Sequence, residues 1–142
     1  NYSARLFLSS PTFKNCIFTG YTGLYCRGGS PELFNCTFSN SAGSDGAMFC
    51  EEYEGSPKLT DCTFTNNSGG AIHSLGMNLE LTNCLFENNS GGSGGFAGLL
   101  NVDRANLVLN NCIFENNTSA NVLSLIMVGN NENIYSCSIN DC

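Results

Sequence analysis

Leu81-Thr82-Asn83-Cys84-Leu85-Phe86-Glu87-Asn88-Asn89 decides the fold, because its order of Leu, then Asn or Asp before Cys, then Phe two residues on, recurs along nearly the whole chain. The copies are Phe13-Lys14-Asn15-Cys16-Ile17-Phe18, Leu33-Phe34-Asn35-Cys36-Thr37-Phe38, Leu59-Thr60-Asp61-Cys62-Thr63-Phe64 and Leu109-Asn110-Asn111-Cys112-Ile113-Phe114. A degraded copy reads Ile134-Tyr135-Ser136-Cys137-Ser138-Ile139. The motif cysteines 16, 36, 62, 84, 112 and 137 stand 20, 26, 22, 28 and 25 residues apart. Repeats of this variable length, with Gly, Ser and Asn turns and no helical periodicity, indicate a β-solenoid. A leucine-rich repeat would need a convex helix, which these Gly-rich spacers cannot form.

Each repeat divides into three short strands. Alternation places Leu24 and Cys26 inside with Tyr25 outside, then Cys36 and Phe38 inside with Thr37 and Ser39 outside. Leu33 and Cys36 are three apart, so both face inward only if the chain bends between them. The residue before each cysteine supplies that bend, since Asn tolerates the left-handed conformation and bonds locally. Asn15, Asn35, Asp61, Asn83 and Asn111 should therefore form a ladder at one corner.

Loops of changing length follow the third strand, over residues 20–23, 40–46, 66–70, 88–95 and 116–121, and belong together at a single corner. The strands that open each coil are Leu6-Phe7-Leu8, Leu24-Tyr25-Cys26, Met48-Phe49-Cys50, Ile72-His73-Ser74, Leu100-Asn101-Val102 and Leu125-Ile126-Met127. About six coils are expected, a rod of roughly 29 Å at about 4.8 Å per coil. Its core is a column of Phe18, Phe38, Phe64, Phe86 and Phe114 ending in Ile139, beside Leu33, Leu59, Leu81 and Leu109.

The chain has 142 residues, of which 12% are charged, with 16 glycines and no tryptophan, the composition of a turn-rich β protein. We expect one β-helix domain over 1–142, a segment of a longer chain or an assembling unit, since Asn1 already lies inside the pattern and no capping segment is evident. The net charge of −7 excludes a nucleic-acid surface, which needs clustered Lys and Arg. No apolar run is long enough to span a bilayer. Nine cysteines would ordinarily suggest disulfides. In a stacked column, however, their Cβ vectors run side by side, so free thiols packed as small apolar residues are equally expected.

Phe64-Thr65-Asn66-Asn67, Phe86-Glu87-Asn88-Asn89 and Phe114-Glu115-Asn116-Asn117 fit a Phe-x-x-Asn motif, and Gly69-Gly70-Ala71-Ile72 fits a Gly-Gly-Ala-aliphatic motif. In these the chain resembles right-handed parallel β-helix repeat proteins, and within them the repeats of polymorphic outer-membrane adhesins. The resemblance implies an all-β, right-handed parallel β-helix with three short strands per coil, and an adhesive or structural role. Parallel β-helices also resemble pectate-lyase-type enzymes, so function has to be argued from a site.

Candidate sites are few. Glu51, Glu52 and Glu54 lie near a turn and are weak candidates for calcium; no other cofactor is implied. A solvated acidic corner is the simpler account. His73 has no Ser or Cys arrangement that a triad could use, and thiols recurring in register are core residues rather than nucleophiles. Phe7, Tyr25, Phe49 and His73 are expected to share one outward row, an aromatic face that could bind a partner or stack on sugar rings. Sequons occur at Asn1, Asn35, Asn66, Asn88, Asn116 and Asn117, with Asn66, Asn88 and Asn116 in one repeat slot as candidate glycosylation sites. Thr19, Thr37, Ser39, Thr63 and Thr65 begin a hydroxyl array of the kind that binds ice, but Leu85, Glu87, Ile113 and Glu115 break it.

The expectation is a non-catalytic, extracellular or cell-surface structural or adhesive β-helix. Its partners would be flanking domains or other copies of itself, and cell-surface glycans. A carbohydrate-binding or carbohydrate-cleaving β-helix is the alternative, and an ice-binding protein the third reading.

Overall fold

The structure is a computed structural model that describes residues 2–52, 54–91, 99–118, 126–128 and 137–140, the last two as strand backbone. The strands β1 (Tyr2–Phe7), β2 (Thr12–Lys14) and β3 (Ile17–Thr19) form the first coil. The second holds β4 (Thr22–Arg27), β5 (Glu32–Phe34) and β6 (Thr37–Ser39), and the third β7 (Met48–Glu51), β8 (Lys58–Thr60) and β9 (Thr63–Thr65). The fourth holds β10 (Ile72–Leu75), β11 (Leu79–Thr82) and β12 (Leu85–Glu87), and the fifth β13 (Leu100–Asp103), β14 (Leu107–Asn110) and β15 (Ile113–Glu115). Then come β16 (Ile126–Val128) and β17 (Cys137–Asn140). Equivalent strands pair in parallel into sheets of six, six and five strands, so the described residues make five three-strand coils and two strands of a sixth.

The rings stack as the motif demands. Phe38 and Phe64 lie 4.5 Å apart and 3° from parallel, Phe64 and Phe86 4.9 Å and 7°, and Phe86 and Phe114 4.8 Å and 5°. Leu33, Leu59, Leu81 and Leu109 are buried beside them. A single coil could not bury this face alone, so stability resides in the contacts between coils.

The corner before each cysteine is left-handed at Asn15, Asn35, Asp61, Asn83 and Asn111, with φ between 49° and 56°. The Asn35 amide donates to Asn15 at 2.8 Å and the Asn83 amide to Asp61 at 3.1 Å, so the expected ladder is present. A second and deeper ladder stands at the corner after the Phe strands. Asn67 donates to the Phe38 carbonyl, Asn89 to that of Phe64 and Asn117 to that of Phe86, at 3.1, 2.9 and 2.7 Å. Asn67 Nδ2 also donates to Asn89 and Asn89 Nδ2 to Asn117. These amides bond the turn to the coil before and the coil after.

Two sequence readings are corrected by register. Cys137 pairs with Leu107 and Ile139 with Leu109, so Ile139 continues the leucine row, and Cys137 does not continue the cysteine column. The physical reason is alternation along one strand: with Ile139 level with Leu109, Cys137 falls two residues earlier on the same face, level with Leu107. The expectations at Asn1, loop positions 92–95 and 119–121, Leu125, Ile134, Tyr135 and Ser136 lie outside the described residues.

Candidate functional site

The candidate side chains lie on the outer face of the first sheet and on the turn that leaves it. Register carries Arg5 to Tyr25, Tyr25 to Phe49, Phe49 to His73 and His73 to Asn101. Phe7 pairs instead with Arg27, and the row continues through Glu51, Leu75 and Asp103. The expected row of Phe7, Tyr25, Phe49 and His73 is therefore corrected by a two-residue slip. It keeps parity but moves Phe7 out of line, because β1 pairs from Tyr2 onward and not from Leu6.

Nor is the row an open aromatic platform. Phe7 is 55% exposed, Phe49 is half-buried, Tyr25 is 9% exposed and His73 is fully buried. The Tyr25 ring meets Tyr2 at 4.9 Å, Phe7 edge-on at 5.9 Å and Phe49 at 5.7 Å, so aromatic neighbours cover it on several sides. Arg5 lies over the Tyr2 ring at 4.6 Å, a cation–π contact.

The acidic residues divide rather than converge. Glu51 accepts a short hydrogen bond from the Tyr25 hydroxyl, and Glu52 pairs with Arg27 at 2.5 Å. Glu54 lines a separate hollow with Leu8, Gly29, Ser30 and Gly55. The three carboxylates proposed for calcium are thus not brought together, and no group of three His, Cys, Asp or Glu is placed to hold a metal among the described residues. Arg27, Glu51, Glu52, Leu75 and Arg104 instead line an open groove of about 430 Å³ along the turn.

Burial first, and then the Glu51 carboxylate, push the Tyr25 phenol up to about 12 from its ordinary value of 10.0. A phenol is charged only when deprotonated, so the native state binds this proton more tightly than the unfolded chain. Its contribution is fully present below pH 10 and is lost as pH rises through about 12. Urea unfolding between pH 8 and pH 11 should show an alkaline decline that shrinks in Tyr25→Phe, by on the order of 1 kcal/mol at the upper end of that range. An identical decline in the variant would remove Tyr25 as its source.

The cysteines form a column of satisfied thiols. Cys36, Cys62, Cys84 and Cys112 are buried, and each donates to the carbonyl two residues before it at 3.4 to 3.5 Å. Carbonyl oxygens around a sulfur favour S–H over thiolate, and burial pushes the Cys36 thiol up. Cys26 and Cys50 face each other in register inside the first sheet, and the contact with Cys26, then burial, pushes Cys50 well up. Cys16, Cys26, Cys36, Cys50, Cys62 and Cys84 are thiols outside any disulfide.

Asn66, Asn88 and Asn116 are exposed and left-handed, at φ 57°, 54° and 53°, each immediately before a member of the deep amide ladder. On the third sheet the outward row reads Ile17, Thr37, Thr63, Leu85 and Ile113, so hydroxyl side chains occupy it only in the second and third coils. Sequence reasoning missed Arg5, Tyr2 and the second asparagine of each doublet; only the doublets themselves signalled the last of these. No helix among the described residues is long and apolar enough to cross a membrane.

A family model described as a right-handed beta helix region matches residues 7–142. No curated protein and no solved structure matches the chain.

Proposed function

We propose, from the premise that the chain belongs to the right-handed β-helix family, that it serves as a non-catalytic structural or adhesive rod outside the cell. The observation that carries this is the continuous coil-to-coil bonding. A ring stack fills the core, amide ladders line two corners, and three ion pairs join Arg27 to Glu52, Lys58 to Glu80 and Arg104 to Asp103. Such a body is stiff, and its lateral faces are its means of contact. Leu8 and Ile17, 78% and 74% exposed, give the first coil an apolar surface that a second copy of the chain would cover on association. The sequons support an extracellular setting.

A carbohydrate-binding role is the second reading, favoured by the groove of Arg27, Glu51, Glu52, Leu75 and Arg104 next to the half-buried Phe49. Sedimentation velocity on the purified chain, together with a glycan array and a polysaccharide turnover assay, separates the two. The rod predicts concentration-dependent association that weakens in Ile17→Lys, with no turnover. Polysaccharide cleavage, or glycan binding that disappears in Phe49→Ala with association intact, would overturn it.

A further inference from the structure

Tyr2 and Tyr25 stand out as the one pair of phenols in ring contact among the described residues, their centroids 4.9 Å apart and their planes 37° from parallel. Each hydroxyl has a carboxylate of its own. Tyr2 donates to Asp45 Oδ2 at 3.3 Å, and Tyr25 donates to Glu51 through a short bond. Phe7 and Phe49 flank Tyr25, so the pair sits in an aromatic cluster with only part of the Tyr2 edge open to solvent. Nothing in the packing of a β-helix demands two phenols here, since phenylalanine fills every other stacked ring position among the described residues.

We propose that Tyr2 and Tyr25 are an oxidative cross-linking site, which couples into dityrosine and staples β1 to β4. The chemistry follows from the arrangement. A neutral phenol is hard to oxidise by electron loss alone, because the resulting radical cation is strongly acidic. A hydrogen-bonded carboxylate removes that obstacle by taking the proton as the electron leaves. Here Asp45 receives it from Tyr2 and Glu51 from Tyr25, while the electrons pass to a peroxidase-type haem oxidant consuming hydrogen peroxide. Two phenoxyl radicals in contact then join through the ring carbons ortho to their oxygens, and the two ring hydrogens at those carbons leave as protons when aromaticity returns. The balance is two tyrosines and one hydrogen peroxide to one dityrosine and two waters. Both phenols are held protonated in the resting state, Tyr2 by burial and then Asp45, Tyr25 by burial and then Glu51.

The product is a covalent bond between adjacent coils at the first sheet, where Tyr2 is otherwise held by strand pairing with Thr22 and by these contacts. It would fix the first coil against peeling.

The purified chain, kept dilute to suppress reaction between molecules, is treated with a haem peroxidase and hydrogen peroxide. Dityrosine fluorescence should appear in the monomer, the intact mass should fall by two hydrogens, and peptide mapping should join Tyr2 to Tyr25. Tyr25→Phe, which keeps the ring and the packing, should lower the intramolecular product at least tenfold, and Tyr2→Phe should do the same. Tyr21→Phe, at a tyrosine 53% exposed, should leave it unchanged. Glu51→Gln keeps a hydrogen-bond acceptor but not a base, and should slow formation severalfold at neutral pH. Circular dichroism of each variant checks that the β-helix persists. A cross-link mapping to any other tyrosine, no cross-link in the folded chain, or an undiminished yield in Tyr25→Phe would overturn the assignment, and an unchanged rate in Glu51→Gln would overturn the role of the carboxylate.

Discussion

Phe64→Ala is expected to lower the unfolding free energy by about 4 kcal/mol, within the range for emptying a buried aromatic site. Phe64 is fully buried and is clasped on both faces, by Phe38 at 4.5 Å and Phe86 at 4.9 Å. The loss has two parts: the apolar area returned to water, and a cavity that neither neighbour can close, because each is fixed by its own strand at the coil spacing. Near-parallel stacking contributes a further share, about 0.5 to 1.5 kcal/mol per aromatic pair. Phe64→Leu, which restores most of the volume, should recover more than half. Phe114→Ala should cost less, since Phe114 is only partly buried. Urea unfolding followed by circular dichroism measures all three, and a loss below about 1 kcal/mol for Phe64→Ala would mean that the column is not what holds the coils together.

The column was legible in the sequence because period and parity are local properties. Asn83-Cys84-Leu85-Phe86 states its own bend, its inward cysteine and its inward ring without reference to any distant residue. The register of the opening strands was not so stated. Leu6-Phe7-Leu8 and Ala4-Arg5-Leu6 both alternate, both put an apolar residue inward, and differ only in which of them faces Leu24-Tyr25-Cys26. The second pairing brings Tyr2 level with Thr22, and thereby places its ring on Tyr25 and its hydroxyl at Asp45. The same difficulty misled the reading of the last coil. Cys137 looked like a motif cysteine, while register sets it level with Leu107 and puts Ile139 in the leucine row. The site on the first sheet depended on these registers and on how far neighbouring rings cover Tyr25, so an exposed aromatic row was a reasonable expectation and an incorrect one.

Asparagine doublets supply the sharpest contrast between adjacent residues. Asn88 and Asn89 are alike in composition, yet Asn89→Ala should cost about 3 to 5 kcal/mol and Asn88→Ala only about 1 kcal/mol. Asn88 is exposed, and its conformation at φ 54° is what asparagine tolerates better than alanine. Asn89 is buried and its amide serves three coils at once. Its oxygen accepts from the Asn67 backbone N–H at 3.0 Å and from Asn67 Nδ2 at 2.8 Å, and its nitrogen donates to the Phe64 carbonyl at 2.9 Å and to Asn117 Oδ1 at 3.0 Å. Removing it strands the Asn67 backbone N–H and leaves the Asn67 amide with only its bond to the Phe38 carbonyl, where water does not reach, and each such lost partner costs about 1 to 3 kcal/mol. The loss should not be confined to one turn, because Asn67 holds Ser41 through the same oxygen-to-N–H geometry. Hydrogen exchange should therefore rise at the backbone N–H of residues 41, 67 and 89 together in Asn89→Ala, and at none of these in Asn88→Ala. Equal destabilisation by the two substitutions would mean that the deep ladder carries no more of the fold than the surface corner beside it.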